Sequence, residues 1–127
     1  MGFFGRLFGG GQAAMPPADL SVLGADMHSH FIPGIDDGAP TLEASLELIT
    51  AMHGLGYRKV ITTPHVMADG YRNTPEKIKA GLETVRAAVR EQGLAMEVDA
   101  AAEYYLDHEL EGKVQRSPEN VIHLMAT

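Results

Sequence analysis

From about Leu20 onward the apolar positions switch between two spacings. Val22 to His28 reads as a short strand, and Thr41 to Leu55 as a helix with Leu42, Leu46 and Ile49 on one face. Gly54 and Gly56 supply its stop. Lys59 to Thr63 is a second strand, rich in β-branched residues that pack well on a pleated surface. Thr74-Pro75-Glu76 then opens a helix, with a capping hydroxyl followed by a proline whose missing N–H costs nothing in the first turn. The stripe Ile78, Leu82, Val85, Val89 marks the buried side of that helix, and Gly93 its end. Ala95 to Ala101 is a third strand, followed after Asp107 by a short helix through Leu110 and Val114 and a fourth strand from Val121 to Leu124. Strands alternating with helices in this way predict an α/β fold, with parallel strands and right-handed crossover helices.

Length and composition narrow the picture. The chain has 127 residues, enough for about one domain. Residues 1–19 are expected to be a flexible leader ahead of a domain spanning 20–127. Phe3, Phe4, Leu7 and Phe8 make the leader apolar for only a few residues before the glycines. That run is shorter than the about 7–15 residues of a secretory signal or the about 20 of a membrane span, so no transmembrane segment is expected. The net charge of −7 disfavours a nucleic-acid surface, which needs a basic face, and suits carboxylates offset by cations. The absence of cysteine excludes disulfides and thiolate-based phosphatase or protease chemistry, and fits a cytoplasmic protein.

The chemistry-bearing residues fall at the ends of the expected strands, where parallel α/β folds place their sites. His28 and His30 are two apart in extended chain and therefore face the same side, able to reach one cation. Asp36-Asp37-Gly38 has the composition of a turn, yet it follows those histidines directly on a loop leading into a helix. His65 follows the second strand and a stiffening proline. Glu103 follows the small apolar run Ala100-Ala101-Ala102, where a lone buried carboxylate would be costly without a partner, and a cation is the natural one. His53, near the C-terminal end of the first helix, is read as capping or packing; His108 and His123 have no matching neighbours.

Asp26-Met27-His28-Ser29-His30, Pro33-Gly34-Ile35-Asp36-Asp37-Gly38, Thr62-Thr63-Pro64-His65 and Ala102-Glu103-Tyr104-Tyr105-Leu106-Asp107, in this order, resemble the polymerase and histidinol phosphatase (PHP) superfamily. Within it they resemble the bacterial manganese-dependent protein-tyrosine phosphatases of capsule and exopolysaccharide operons. The resemblance implies a distorted TIM-like (β/α)7 barrel, up to three metal ions, and removal of phosphate from the phosphotyrosine of a partner bacterial tyrosine kinase. His28 and His30 would bind the first metal, Glu103 would bridge the first and second, and Asp37 and His65 would bind the third. Asp26 and Asp36 would be supporting residues. Arg72, in the loop Tyr71-Arg72-Asn73, is a candidate phosphate contact, with a solvated loop arginine as the alternative.

The family pattern continues beyond these motifs with another carboxylate, a histidine, an Asp-x-His pair and phosphate-holding arginines. The resemblance therefore implies that residues 20–127 are the N-terminal half of such a domain, whose open sheet edge would invite self-association. Mixed imidazole and carboxylate ligands suit manganese, with iron or zinc as alternatives. The expected chemistry is in-line hydrolysis of a phosphoester by cation-activated hydroxide. Two other readings stand beside it: a PHP-type phosphatase of small molecules such as histidinol phosphate, and a non-catalytic metal-binding fragment.

Overall fold

The computed structural model describes residues 14–116 and 118–120. Among these residues five strands and three helices follow one another as β1 (Ala25–Ser29), α1 (Leu42–Gly54), β2 (Lys59–Thr62), β3 (His65–Val66), α2 (Pro75–Glu91), β4 (Glu97–Ala100), β5 (Glu103–Tyr104) and α3 (Leu110–Arg116), with a 3-10 turn at Pro118–Asn120. The first, second and fourth strands form one parallel sheet in the order β1-β2-β4, and β3 pairs in parallel with β5. The expected α/β architecture with parallel strands is therefore present. Of the expected leader, 14–19 are exposed and carry no regular structure. The expected fourth strand and His123 lie outside the described residues.

Both long helices begin where their caps require. The Thr41 hydroxyl accepts from Ala44 N and the Thr74 hydroxyl from Lys77 N, each at 3.2 Å, and each satisfies an N–H that the helix leaves unpaired. The stripe Ile78, Leu82, Val85 and Val89 of α2 is buried as the spacing predicts. It meets Ile49 of α1, Val60 of β2 and Val98 of β4 in one core. Each such fully buried aliphatic chain contributes about 1.5–3 kcal/mol.

Two boundaries differ from the sequence reading. β1 begins at Ala25 rather than Val22, because residues 21–23 form a turn and Gly24 takes φ +70°, which extended chain cannot include. Val22 and Leu23, apolar by type, are thereby left exposed. β4 is shorter than Ala95 to Ala101, since Met96 N turns back to Leu94 O. At the far side of β4, away from β2 and without a further strand among the described residues, the Val98 carbonyl is taken by Arg86 Nε at 2.7 Å, so one acceptor on that side is already satisfied.

The short β3/β5 pair was not foreseen as strands. It begins where the main sheet stops: Ala101 N reaches Thr62 O, then Glu103 N reaches Pro64 O and Tyr105 N reaches Val66 O. This continuation sets His65 directly opposite Glu103 in register.

Candidate metal centre

The loop from His30 to Ala39 folds back on the end of β1. Ala39 N donates to His30 O at 3.0 Å and Gly34 N to Ala39 O at 2.8 Å. Gly38 lies so close to His30 that a Cβ there would run into the Cβ and carbonyl oxygen of His30. This packing, and not merely the turn composition of Asp-Asp-Gly, brings Asp36 and Asp37 beside the histidines.

Thr62 and Thr63 fasten the histidine strand to its neighbour. Thr62 Oγ1 donates to Ser29 O at 3.0 Å and accepts from Phe31 N at 2.9 Å, while Thr63 N donates to Ser29 O at 2.6 Å. The Thr63 hydroxyl also donates to Ser29 O, which leaves its lone pairs facing His28 Nδ1 at 3.3 Å. A proton on Nδ1 then points at Thr63, and Nε2 offers its lone pair to the cleft.

Glu103 stands at the centre. Its Oε2 lies 3.4 Å from His28 Nε2, 3.4 Å from His30 Nε2 and 3.3 Å from His65 Nδ1. This oxygen is buried, yet it makes no hydrogen bond, and His65 Nδ1 is in the same condition. A buried carboxylate oxygen without hydrogen bonds costs free energy unless positive charge compensates it. On the other side of His65, Nε2 lies 3.1 Å from Asp37 Oδ1. Two groups of donor atoms result, His28–His30–Glu103 and His30–Asp36–Asp37–His65, the atoms of each within 4.8 Å of one another. All-oxygen and imidazole donors at this spacing fit divalent cations of the manganese, iron and zinc kind.

Within the second group Asp36 plays a different part from Asp37. Its Oδ2 accepts from His30 Nδ1 at 2.7 Å and from His65 N at 3.1 Å, and its Oδ1 accepts from Gly38 N at 3.0 Å. Burial pushes its carboxyl up, but the bonds from His30, Gly38 and His65 outweigh this and hold it below the ordinary carboxylate range. Asp36 is thus an anion whose oxygens are already engaged. It fixes the His30 proton on Nδ1 and leaves Nε2 free toward Glu103, the usual arrangement behind a metal-binding histidine.

The other sequence candidates are placed as follows. Asp26 is on β1, two residues before His28, and its Oδ2 is buried without a hydrogen bond among the described residues. Arg72 is exposed and turned onto its own loop, with Nε donating to Ala68 O at 2.6 Å. His53 and His108 join neither donor group.

Asn73 was missed by the sequence reading. Nearly buried at 5 % exposure, it donates from Nδ2 to Ile35 O and to His65 O, each at 2.9 Å. It therefore ties the loop bearing Asp37 to the strand bearing His65. A single amide in a loop leaves no periodic signal, and only its partners reveal it. Asp107 does similar work further out: its Oδ2 accepts from Ala68 N at 2.7 Å, and its Oδ1 caps α3 through Glu109 N and Leu110 N.

Comparison with known proteins bears on this geometry. The family described as capsular polysaccharide synthesis, CpsB/CapC, matches residues 24–125. The tyrosine-protein phosphatase YwqE of Bacillus subtilis is 28% identical over 86 residues, covering 68% of this chain and 34% of YwqE. The tyrosine-protein phosphatase CpsB of Streptococcus agalactiae is 43% identical over 53 residues, 42% of this chain and 21% of that protein. Among solved structures, a chain from the work on YwqE from B. subtilis and CpsB from Streptococcus pneumoniae, described as unique metal-dependent tyrosine phosphatases, superposes with a TM-score of 0.70 at 25% identity. It covers 79% of this chain and 40% of that one. The chain thus spans about a fifth to two fifths of the length of these relatives.

Proposed function

The chain belongs to the CpsB/CapC family of capsular polysaccharide synthesis, and from that premise we propose that it supplies part of a metal-dependent protein-tyrosine phosphatase site. The observation that carries this reading is the buried Glu103 Oε2, faced by nitrogens of His28, His30 and His65 and hydrogen-bonded to none. In this reading residues 20–127 are the N-terminal half of a TIM-like PHP barrel, acting in the cytoplasm on the phosphotyrosine of a partner kinase. The names of the relatives support the substrate class.

In this reading His28, His30 and Glu103 would hold a first cation, Glu103 would also serve a second, and Asp37 with His65 would hold a third. Manganese is the ion proposed, with iron or zinc as alternatives. When bound, such cations supply Lewis acidity toward the phosphoryl oxygens and a water acidic enough to act as nucleophile near neutral pH. Asp36 keeps the proton of His30 on Nδ1, and Thr63 accepts that of His28, so both Nε2 atoms face the cleft. Phenolate, the conjugate base of a group with pKa of about 10, departs readily, and a strong general acid is therefore not required of this chain.

The test is metal content together with manganese-dependent hydrolysis of p-nitrophenyl phosphate by the purified chain, with His28→Ala and Glu103→Ala as controls. Turnover lost in both controls supports the reading. Bound metal without turnover makes this chain a metal-binding unit only, and preference for histidinol phosphate moves the substrate away from phosphotyrosine.

A further inference from the structure

His65 is bracketed by two tyrosine rings that the metal centre does not use. Tyr71 lies nearly parallel to the imidazole, with centroids 5.4 Å apart and planes at 17°. Tyr105 stands across it, at 6.5 Å and 65°. The two are held differently. The Tyr71 carbonyl accepts from both Met67 N and Asn73 N, and one face of its ring is spent on His65. The Tyr105 backbone is fixed by its bond to Val66 O, but the residue is 52% exposed.

Position along the strand says where that ring stands. Residues two apart in extended chain share a side, so Tyr105 projects on the side of Glu103, at the rim of the donor cluster. Its neighbour Tyr104 takes the other side, packed against the core. Because the ring meets His65 at a steep angle rather than stacked on it, a face is left for another aromatic group. A phosphoryl group seated among Glu103, His28 and His65 would carry its ester substituent outward past this rim.

We propose that Tyr105, backed by the Tyr71–His65 stack, is the specificity-determining residue that receives the aryl ring of an aryl phosphate. The proposal rests on the phosphatase reading above and deepens it by assigning the leaving-group side of the site. Offset or edge-on pairing of aromatic rings contributes enough to shift affinity roughly two- to tenfold beyond area burial.

Two non-hydrolysable probes separate this from the underlying reading: phenylphosphonate and methylphosphonate, titrated into the manganese-loaded 127-residue chain by calorimetry. The unaltered chain is expected to prefer phenylphosphonate by roughly two- to tenfold. Tyr105→Ala should lose that preference while keeping its affinity for methylphosphonate and its metal stoichiometry, and Tyr105→Phe should retain it. Equal affinity of the two probes for the unaltered chain overturns the proposal. So does an alanine variant that keeps the preference, or one that loses both probes alike. If neither phosphonate binds the unaltered, metal-loaded chain, the phosphatase reading itself fails.

Discussion

The Nδ1 atom of His30 meets Oδ2 of Asp36 at 2.7 Å, and the Asp36 side chain is 1% exposed. The bond decides which nitrogen of His30 faces Glu103, and it does so from a carboxylate that accepts two further backbone N–H groups. Asp36→Ala should therefore weaken manganese binding by about 10–100-fold without removing a ligand atom of its own. Asp36→Asn, which still offers an oxygen to His30, should lose less. Chelator competition with the purified variants reads the affinity. Equal affinity of Asp36→Ala and the parent would show that the histidine needs no such orientation.

His30 belongs to both donor groups, whereas His28 belongs to one and is 63% exposed at its side chain. His30→Ala should accordingly lower metal content more than His28→Ala, because it removes a nitrogen from one group and also the partner that holds Asp36 beside His65, whereas His28→Ala should spare an ion at Asp37 and His65. Metal stoichiometry by elemental analysis after dialysis distinguishes them. A lower residual content in His28→Ala than in His30→Ala would reverse the assignment.

Gly38 carries no chemistry, but His30 occupies the space where its Cβ would be. Relief would require the loop to lift from β1, taking Asp36 and Asp37 with it. Gly38→Ala should cost about 1–3 kcal/mol of stability, as overpacking of a close contact does, and should weaken manganese binding as well. Urea unfolding and chelator competition on the same variant check both halves. An unchanged unfolding midpoint would mean that the contact relaxes at no cost.

Much of this centre was legible because its parts are local. His28 and His30 share a strand end, Asp36 and Asp37 share a loop, and the caps Thr41 and Thr74 announce the two long helices. What could not be read depends on which chain segments meet. The β3/β5 pair is two residues long on each side, too short for an alternating pattern, yet it is what sets His65 opposite Glu103. The turn at 21–23 was hidden by its own apolar residues, and only the φ of Gly24 ends the run there. Asp36 and Asp37 are adjacent and chemically identical, and their separate parts come from the donors that the fold brings to one and not to the other.

Asn73 is the clearest of the residues whose role depends on such meetings. Asn73→Ala would leave the carbonyls of Ile35 and His65 without the amide that now satisfies them. The expected loss is about 1–3 kcal/mol, the range for a buried polar group left unpaired. Because Asn73 ties the loop of Asp37 to the strand of His65, any metal binding at Asp37 and His65 should fall further than binding at His28, His30 and Glu103. Imidazole nitrogen shifts in a zinc titration report on each histidine separately. A uniform response of all three histidines would reduce Asn73 to a general stabiliser.

At the opposite end of the main sheet, Lys59 Nζ lies 2.7 Å from both Glu97 Oε1 and Asp99 Oδ2, and Arg86 pairs with Asp99 from α2. The hydrogen bond from Lys59 holds the Asp99 carboxyl below its ordinary value of 3.8, partial burial opposes this, and the charges of Lys59 and Arg86 reinforce it. A carboxyl lowered in the folded state favours folding above its unfolded pKa, and that contribution fades as the pH falls through the folded value. Asp99→Asn should thus be less stable than the parent at pH 7. The gap should close as the pH is taken from about 4 down through the folded value. Lys59, raised above 10.5 chiefly by its hydrogen bonds to Asp99 and Glu97, contributes below that value and loses its contribution only as the pH rises through the folded one. A stability gap between parent and Asp99→Asn that persists unchanged at pH 2 would mean that the side chain acts there through packing and not through charge.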